Sequence, residues 1–328
     1  MSSFPFSPID DPAEALASSG ARFNRALLTC REVLLRAWKD PVLGPRYRRI
    51  VKLQAVGVLA LAAGLLAMGI GIHEVATDAP LSSRVYAVLA SCWGALLGAH
   101  WGVIALSYRY HDVLTREASL LVGLPPEDPD LPPRVALDLG WIRKRIRRRI
   151  RGFMVMVPGF VAIWFFSLVT GRAISSVLSA LWISYWWVVF SLAKSARAWP
   201  EPAPTAPWYL RAWDAMAGAV PILETGPFRW WRNYLASSSS SVWSPISWSE
   251  RLPAQGAVLA LMRLGANVPG LGMAVRPLVP LCAGLVIEHG DGALDFLRRA
   301  PPPHVPGMAS GLESGVPARL PPEPPLEL

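Results

Sequence analysis

Apolar residues along this chain gather into long runs instead of alternating with polar ones. Four runs approach or reach the ~20 residues a helix needs to cross the hydrocarbon of a bilayer. They cover residues 51–72, 85–108, 152–170 and 173–194. Helix is the element they predict, because backbone groups in lipid must be satisfied within their own segment. A buried helix of a large soluble protein is the competing reading, and four such runs in one chain weigh against it. The predicted fold class is all-α integral membrane, with four transmembrane helices arranged as two hairpins.

Two shorter segments carry the amphipathic period. In residues 22–38, Phe23, Ala26, Leu27, Cys30, Leu34, Ala37 and Trp38 recur at spacings of three and four, opposite Arg22, Arg25, Arg31, Glu32 and Arg36. Asp40-Pro41 should end that helix, since a residue before proline avoids the helical region. The segment reads as a helix in the headgroup layer, or as one packed on other cytoplasmic segments. Residues 135–151 repeat the theme with an apolar stripe of Val135, Leu139, Ile142, Ile146 and Ile150. The halves are thus alike in outline: a basic amphipathic helix, then two spans.

After residue 198 the pattern changes. Residues 199–249 are rich in Trp and Pro, and read as short helices and loops on the membrane face, or as a small domain with a Trp-rich core. Residues 254–287 are apolar but interrupted by Arg263, Asn267, Pro269, Arg276, Pro277 and Pro280. That interruption predicts a re-entrant or surface-lying segment in preference to a fifth span. The domain organisation is 1–50, an N-terminal cytoplasmic segment; 51–108, the first hairpin; 109–151, a loop and basic helix; 152–194, the second hairpin; 195–299, a membrane-associated region; and 300–328, a disordered Pro-rich tail.

Charge sets the orientation. The chain of 328 residues carries 32 Lys and Arg against 23 Asp and Glu, a net of +9, although only 17% of it is charged. Residues 1–52 hold +4, 109–151 another +4, and 194–328 the last +1, while the two remaining turns balance to zero. Basic flanks stay on the cytoplasmic side, so both termini are expected there. High Ala, Arg, Pro and Gly content fits a bacterial inner (plasma) membrane. No basic n-region opens the chain, so no signal peptide is expected.

Candidate chemistry is sparse. Arg143, Lys144, Arg145, Arg147, Arg148, Arg149 and Arg151 form a cluster that fixes topology and can also bind anionic lipid, at ~1 kcal/mol per cation. Nucleic acid is the weaker reading, lacking a binding fold or aromatic platform. Ala90, Gly94, Gly98 and Gly102 repeat every four residues, a packing surface for the first span (Ala60 and Gly64) or for the same helix of a second chain. His100 sits within the second span as an intramembrane polar candidate. No run contains an acidic partner for it, so a neutral ring bonded to Ser167, Ser179 or Ser184 is expected. Cys30, Cys92 and Cys282 are too far apart for a metal or disulfide framework. No nucleotide, hydrolase or zinc motif is present, so no catalytic residue, cofactor or metal is assigned. The expected function is non-enzymatic: a structural or interaction protein of the membrane face, with anionic lipid, a second copy or a membrane protein as partner. A small-solute or ion transporter or channel is the alternative.

Overall fold

A computed structural model describes residues 12–73, 81–125, 132–170, 172–199 and 205–299. These residues are helical almost throughout and contain no strand. The tail 300–328 and the acidic residues Glu127, Asp128 and Asp130 lie outside the described residues.

Helix α1 (Pro12–Lys39) stops where Asp40-Pro41 requires, and Asp40 then caps α2 (Leu43–His73). Its carboxylate accepts the backbone N–H of Val42 at 2.9 Å and of Leu43 at 2.6 Å, the interaction that satisfies otherwise orphaned donors at a helix start. α2 runs antiparallel to α3 (Leu81–Leu121), with Gly57 against Val103, Leu61 against Gly102 and Leu65 against Gly98. A second antiparallel pair follows, α4 (Leu139–Thr170) and α5 (Arg172–Ala193). Here Gly152 lies against Phe190 and Gly159 against Trp182, whose indole N–H donates to the Met156 carbonyl at 2.9 Å. Among the described residues three helices are long and apolar enough to cross a membrane: Leu43–Met68, Val85–Leu121 and Ile174–Ala193. The remaining expected span, 152–170, is helical within α4.

The chain from residue 205 onward folds onto one end of these pairs. α6 (Trp208–Ala219), α7 (Gly226–Ser239) and α8 (Trp243–Arg251) close an aromatic core with α4 and α5, in which Trp186 and Leu210 are fully buried beside Val155, Tyr209, Leu235 and Ile246. The fully buried Trp of this core, Trp186, comes from α5, whereas Trp208 and Trp230 stay exposed.

α9 (Pro253–Gly265), α10 (Leu271–Val275), α11 (Val279–His289) and α12 (Ala293–Arg299) build a second core with α1. The 254–287 stretch owes its apolar character to this core: Val258, Leu259, Met273, Leu278, Cys282 and Leu285 are each at most 1% exposed. α9 has 13 residues and α11 has 11, well short of the ~20 that span a bilayer. α1 is buried by the same core. Ala26, Cys30, Val33 and Ala37 are at most 4% exposed against α9, α11 and α12. One side of α1 therefore packs on other segments of the chain, while Leu27 and Trp38 of the same stripe stay 44% and 40% exposed.

Helix α4 begins later than the pattern predicts. Residues 132–138 are irregular, and Asp138 caps the helix by accepting the Trp141 N–H at 3.0 Å. The expected stripe does not pack inward. Val135, Leu139, Ile146 and Ile150 are 52–71% exposed, and only Ile142 is half-buried.

Candidate functional site: a polar junction at the bend of α3

Along α3, His100, Ser107 and His111 are separated by seven and four residues, which at ~100° per residue places them on one face. That face meets α2 at Gln54. The Gln54 amide N–H₂ donates to Ser107 Oγ at 2.8 Å and lies 3.1 Å from His111 Nε2. Ser107 in turn donates to the Val103 carbonyl at 2.6 Å. Such back-bonding bends helices, and Ser107 is where α3 leaves helical geometry, with φ −112° and ψ 17°. Thr115 Oγ, one turn beyond His111, lies 2.7 Å from both the His111 and Pro277 carbonyls. With Gln54 donating to His111 Nε2, the ring proton resides on Nδ1, and Nδ1 has no hydrogen-bond partner.

The break between α9 and α11 closes the junction. Gly272 sits so near the Ala266 carbonyl and His100 Cε1 that a Cβ would fall 2.5 and 2.8 Å from them; only glycine fits. Its neighbour Met273 is fully buried in a cluster with Val58, Ala62, Ala99 and Ile104. The Tyr47 hydroxyl donates to the Ala274 carbonyl. Residues 272–274 are thereby wedged against both α2 and α3.

Next to this wedge two guanidinium groups approach the Trp101 ring. Arg276, 8% exposed, is 5.0 Å from the ring centroid, and Arg145 from α4 is 4.6 Å from it and 4.9 Å from the Trp141 ring. Tyr108 stacks on Trp141 at 5.2 Å and donates to Asp138 at 2.9 Å. The two guanidiniums are therefore no more than about 10 Å apart. His100 is fully buried, its ring 6.0 Å from that of Trp101. Neither ring nitrogen makes a hydrogen bond; the Ala266 carbonyl faces the ring without closing one.

Two shifted groups frame the junction. Burial alone holds Arg263, on α9, below the ordinary arginine range. The Asp138 carboxyl is held below the usual range first by the Trp141 N–H and then by the Tyr108 hydroxyl.

The expected site residues divide three ways. His100 is at the junction but bonds to no serine: Ser167 instead donates to the Trp164 carbonyl of its own helix. What meets His100 is the α9–α11 break. In the glycine row, Gly98 and Gly102 face Leu65 and Leu61 of α2, in place of Gly64 and Ala60, whereas Gly94 has open space and Ala90 is exposed. In the basic cluster, Arg143, Lys144 and Arg147 are exposed while Arg145 turns inward; the side chains of Arg148, Arg149 and Arg151 lie outside the described residues. Sequence reasoning missed Gln54, His111 and Arg276 as members. Gln54 carried a signal, as the one amide within residues 51–72. Arg276 had none, because its placement depends on a fold-back of more than 150 residues. Among the described residues no group of His, Cys, Asp or Glu could hold a metal. The junction offers guanidiniums, hydroxyls, an amide and two imidazoles.

No protein family, curated protein or solved structure matches this chain.

Proposed function

We propose that the chain is a four-span protein of a bacterial inner membrane, arranged as two hairpins, with both termini cytoplasmic and a re-entrant segment within residues 254–287 beside the first hairpin. It acts without catalysis, as a structural or interaction protein whose cytoplasmic face binds anionic lipid through α4. The observation that carries this reading is the outward stripe of α4. Leu139, Ile146 and Ile150 are exposed next to the exposed Arg143, Lys144 and Arg147. The stripe continues into exposed Phe153, Met154, Trp164, Phe165 and Leu168. A surface that is apolar along one line and cationic beside it fits the boundary between acyl chains and anionic headgroups.

The test is flotation of the full chain, held in amphipol, with phosphatidylglycerol or phosphatidylcholine vesicles. Replacing Arg143, Lys144 and Arg147 together with Gln removes three cations at ~1 kcal/mol each, on the order of a hundredfold in binding. The loss should be confined to the anionic vesicles, with cysteine accessibility of the termini unchanged. Equal flotation of the variant and the parent sinks the reading.

One observation favours a transporter as the second reading: the junction puts two histidines and Gln54 in buried surroundings on α2 and α3. Intramembrane polar groups mark solute paths. Ion flux in proteoliposomes that vanishes with His100→Ala would support it, and absence of flux in the parent protein would remove it.

A further inference from the structure

We propose that α6, the turn Pro221–Glu224 and the start of α7 form a second membrane contact, whose partner is the acyl chains of the cytoplasmic leaflet. Trp208, Met216, Val220, Ile222 and Phe228 enter the lipid, and Arg211 and Asp214 stay in the headgroup layer. The surface is separate from the α4 stripe, and it rests on α5 crossing the bilayer as the proposed function has it.

Three observations meet here. The first is depth. The apolar stretch Ile174–Ala193 of α5 has 20 residues, enough to cross the hydrocarbon. The Trp208 indole N–H donates to the Tyr185 hydroxyl at 2.9 Å, and the two rings meet edge to face at 5.6 Å. Tyr185 stands eight residues before Ala193, about 12 Å inside the end of that stretch at 1.5 Å per residue. Side chains lean toward the N-terminus of their helix, which here is deeper into the bilayer. Tyr209 and Leu210 pack with Trp186 in the same core, together with Val155 of α4 and Leu235 of α7. α6 is thereby fixed on the part of α5 that lies in lipid and not on its cytoplasmic end.

The second is the division of the α6 surface. Tyr209, Leu210 and Ala217 are buried, and at ~100° per residue they share one side with Trp213. The exposed remainder splits into two sectors. Trp208, Ala212, Ala215, Met216 and Ala219 form an apolar one; Arg211, Asp214 and Gly218 form a polar one. Arg211 pairs with Glu250 at 2.6 Å, and Asp214 with Arg232 at 2.8 Å. A helix surrounded by water gains nothing by separating its exposed residues in this way, whereas one at a lipid boundary does. The third is the tip. Val220, Ile222 and Phe228 are exposed on three consecutive elements that pack on one another, and Ile222 reaches 59%. Apolar surface of this kind facing water would itself call for a partner. At the depth fixed by Tyr185, acyl chains are that partner.

The experiment uses the full chain in vesicles of phosphatidylcholine and phosphatidylglycerol. Cys92 is replaced by Ser, and Cys30 and Cys282, both fully buried, are kept. A nitroxide is attached in turn to Met216→Cys, Ile222→Cys and Phe228→Cys. Gly218→Cys, where a Cβ meets nothing within 4 Å, reports on the polar sector. Val177→Cys, at an exposed position of α5, reports on the span. Relaxation of each label by oxygen, which concentrates in lipid, is compared with relaxation by a water-soluble nickel chelate. Met216, Ile222, Phe228 and Val177 should respond to oxygen and lose the response to the chelate, while Gly218 responds to the chelate. If one tip variant fails to elute as a single species, the other two decide. Chelate access at the tip beside an oxygen-only Val177 overturns this proposal and leaves the spanning reading standing. Chelate access at Val177 as well overturns both. Tip labels closed to both reagents show that protein, a second copy or another chain, covers the surface, and overturn the lipid contact. Gly218 closed to the chelate overturns the assignment of the polar sector to the headgroup layer.

Discussion

Helix α1 and the first turns of α4 are close to interchangeable as patterns. Each is basic, each carries an apolar stripe at helical spacing, and each precedes a pair of long apolar helices. Their environments are opposite. Along α1, Ala26, Cys30, Val33 and Ala37 are at most 4% exposed and, of the stripe, only the flanking Leu27 and Trp38 reach 44% and 40%, while the α4 stripe is at least 52% exposed at Leu139, Ile146 and Ile150. Amphipathicity says that something apolar covers a face. What covers it depends on whether the chain later returns, and only α1 receives α9, α11 and α12.

The largest effect should come from breaking that asymmetry with a charge. Val33→Asp puts an unpaired carboxylate into a fully buried position, and should cost ~3–5 kcal/mol or abolish folding. Ile146→Asp on the exposed stripe should leave the unfolding midpoint in detergent almost unchanged. Thermal scans of both variants check this, and a midpoint loss for Ile146→Asp equal to that for Val33→Asp would show that the α4 stripe is core after all.

The two antiparallel seams sharpen the contrast. At Gly159 a Cβ would collide with the Trp182 indole, whose N–H is fixed on the Met156 carbonyl. Gly159→Ala should therefore destabilise by ~1–3 kcal/mol through overpacking. At Gly102 a Cβ meets only the end of Leu61, at 3.0 Å, and at Gly94 it meets nothing within 4 Å. Gly94→Ala should be neutral or slightly stabilising, because alanine favours helix over glycine by ~1 kcal/mol. The same thermal scans rank the three; Gly94→Ala losing as much as Gly159→Ala would contradict the assigned seams.

This ordering also shows what the sequence makes legible. Long apolar runs, the stop at Asp40-Pro41 and the packing value of Gly98 and Gly102 all follow from local rules of length, backbone and size. The role of 254–287 does not. Its composition is that of a broken membrane segment, and the same composition serves a core helix such as α11, where Cys282 and Leu285 are fully buried. Proline placement correctly indicated breaks but not their partner. His100 was visible as an oddity, and its surroundings were not, because Gly272 and Arg276 reach it only through tertiary folding. The serine partner failed for a related reason: the serines considered sit on α4 and α5, and what meets His100 on α3 is Gly272 of α10 instead.

On the α1 side, Arg22 pairs with Asp291 at 3.4 Å, and buried Gln255 donates to the same carboxylate at 3.0 Å. Asp291→Ala leaves the amide of Gln255, 2% exposed, without that acceptor. The cost should be ~1–3 kcal/mol, measured by chemical denaturation in detergent. Asp291→Asn, which keeps an acceptor oxygen, should recover most of it; failure to recover would assign the effect to the Arg22 ion pair.

The smallest effect belongs to the second half of the chain, where Asp214 of α6 and Arg232 of α7 form a two-pronged pair at 2.9 and 2.8 Å. The Asp214 side chain is 48% exposed, so solvent screens the pair and its worth is under ~1 kcal/mol. The Arg232 hydrogen bonds hold the Asp214 carboxyl below its ordinary value. The unfolded chain thus takes up this proton more readily than the folded one. The stabilisation is complete above the unfolded aspartate value of about 4 and disappears as pH falls through the lower folded value. Asp214→Asn should accordingly be less stable than the parent near pH 6, with the gap closing as pH falls below the unfolded aspartate value of about 4 and shrinking in high salt. A gap that persists in acid would show that α6 and α7 are held by the shape of the side chain and not by its charge. The two halves would then resemble each other more than their exposed and buried stripes imply.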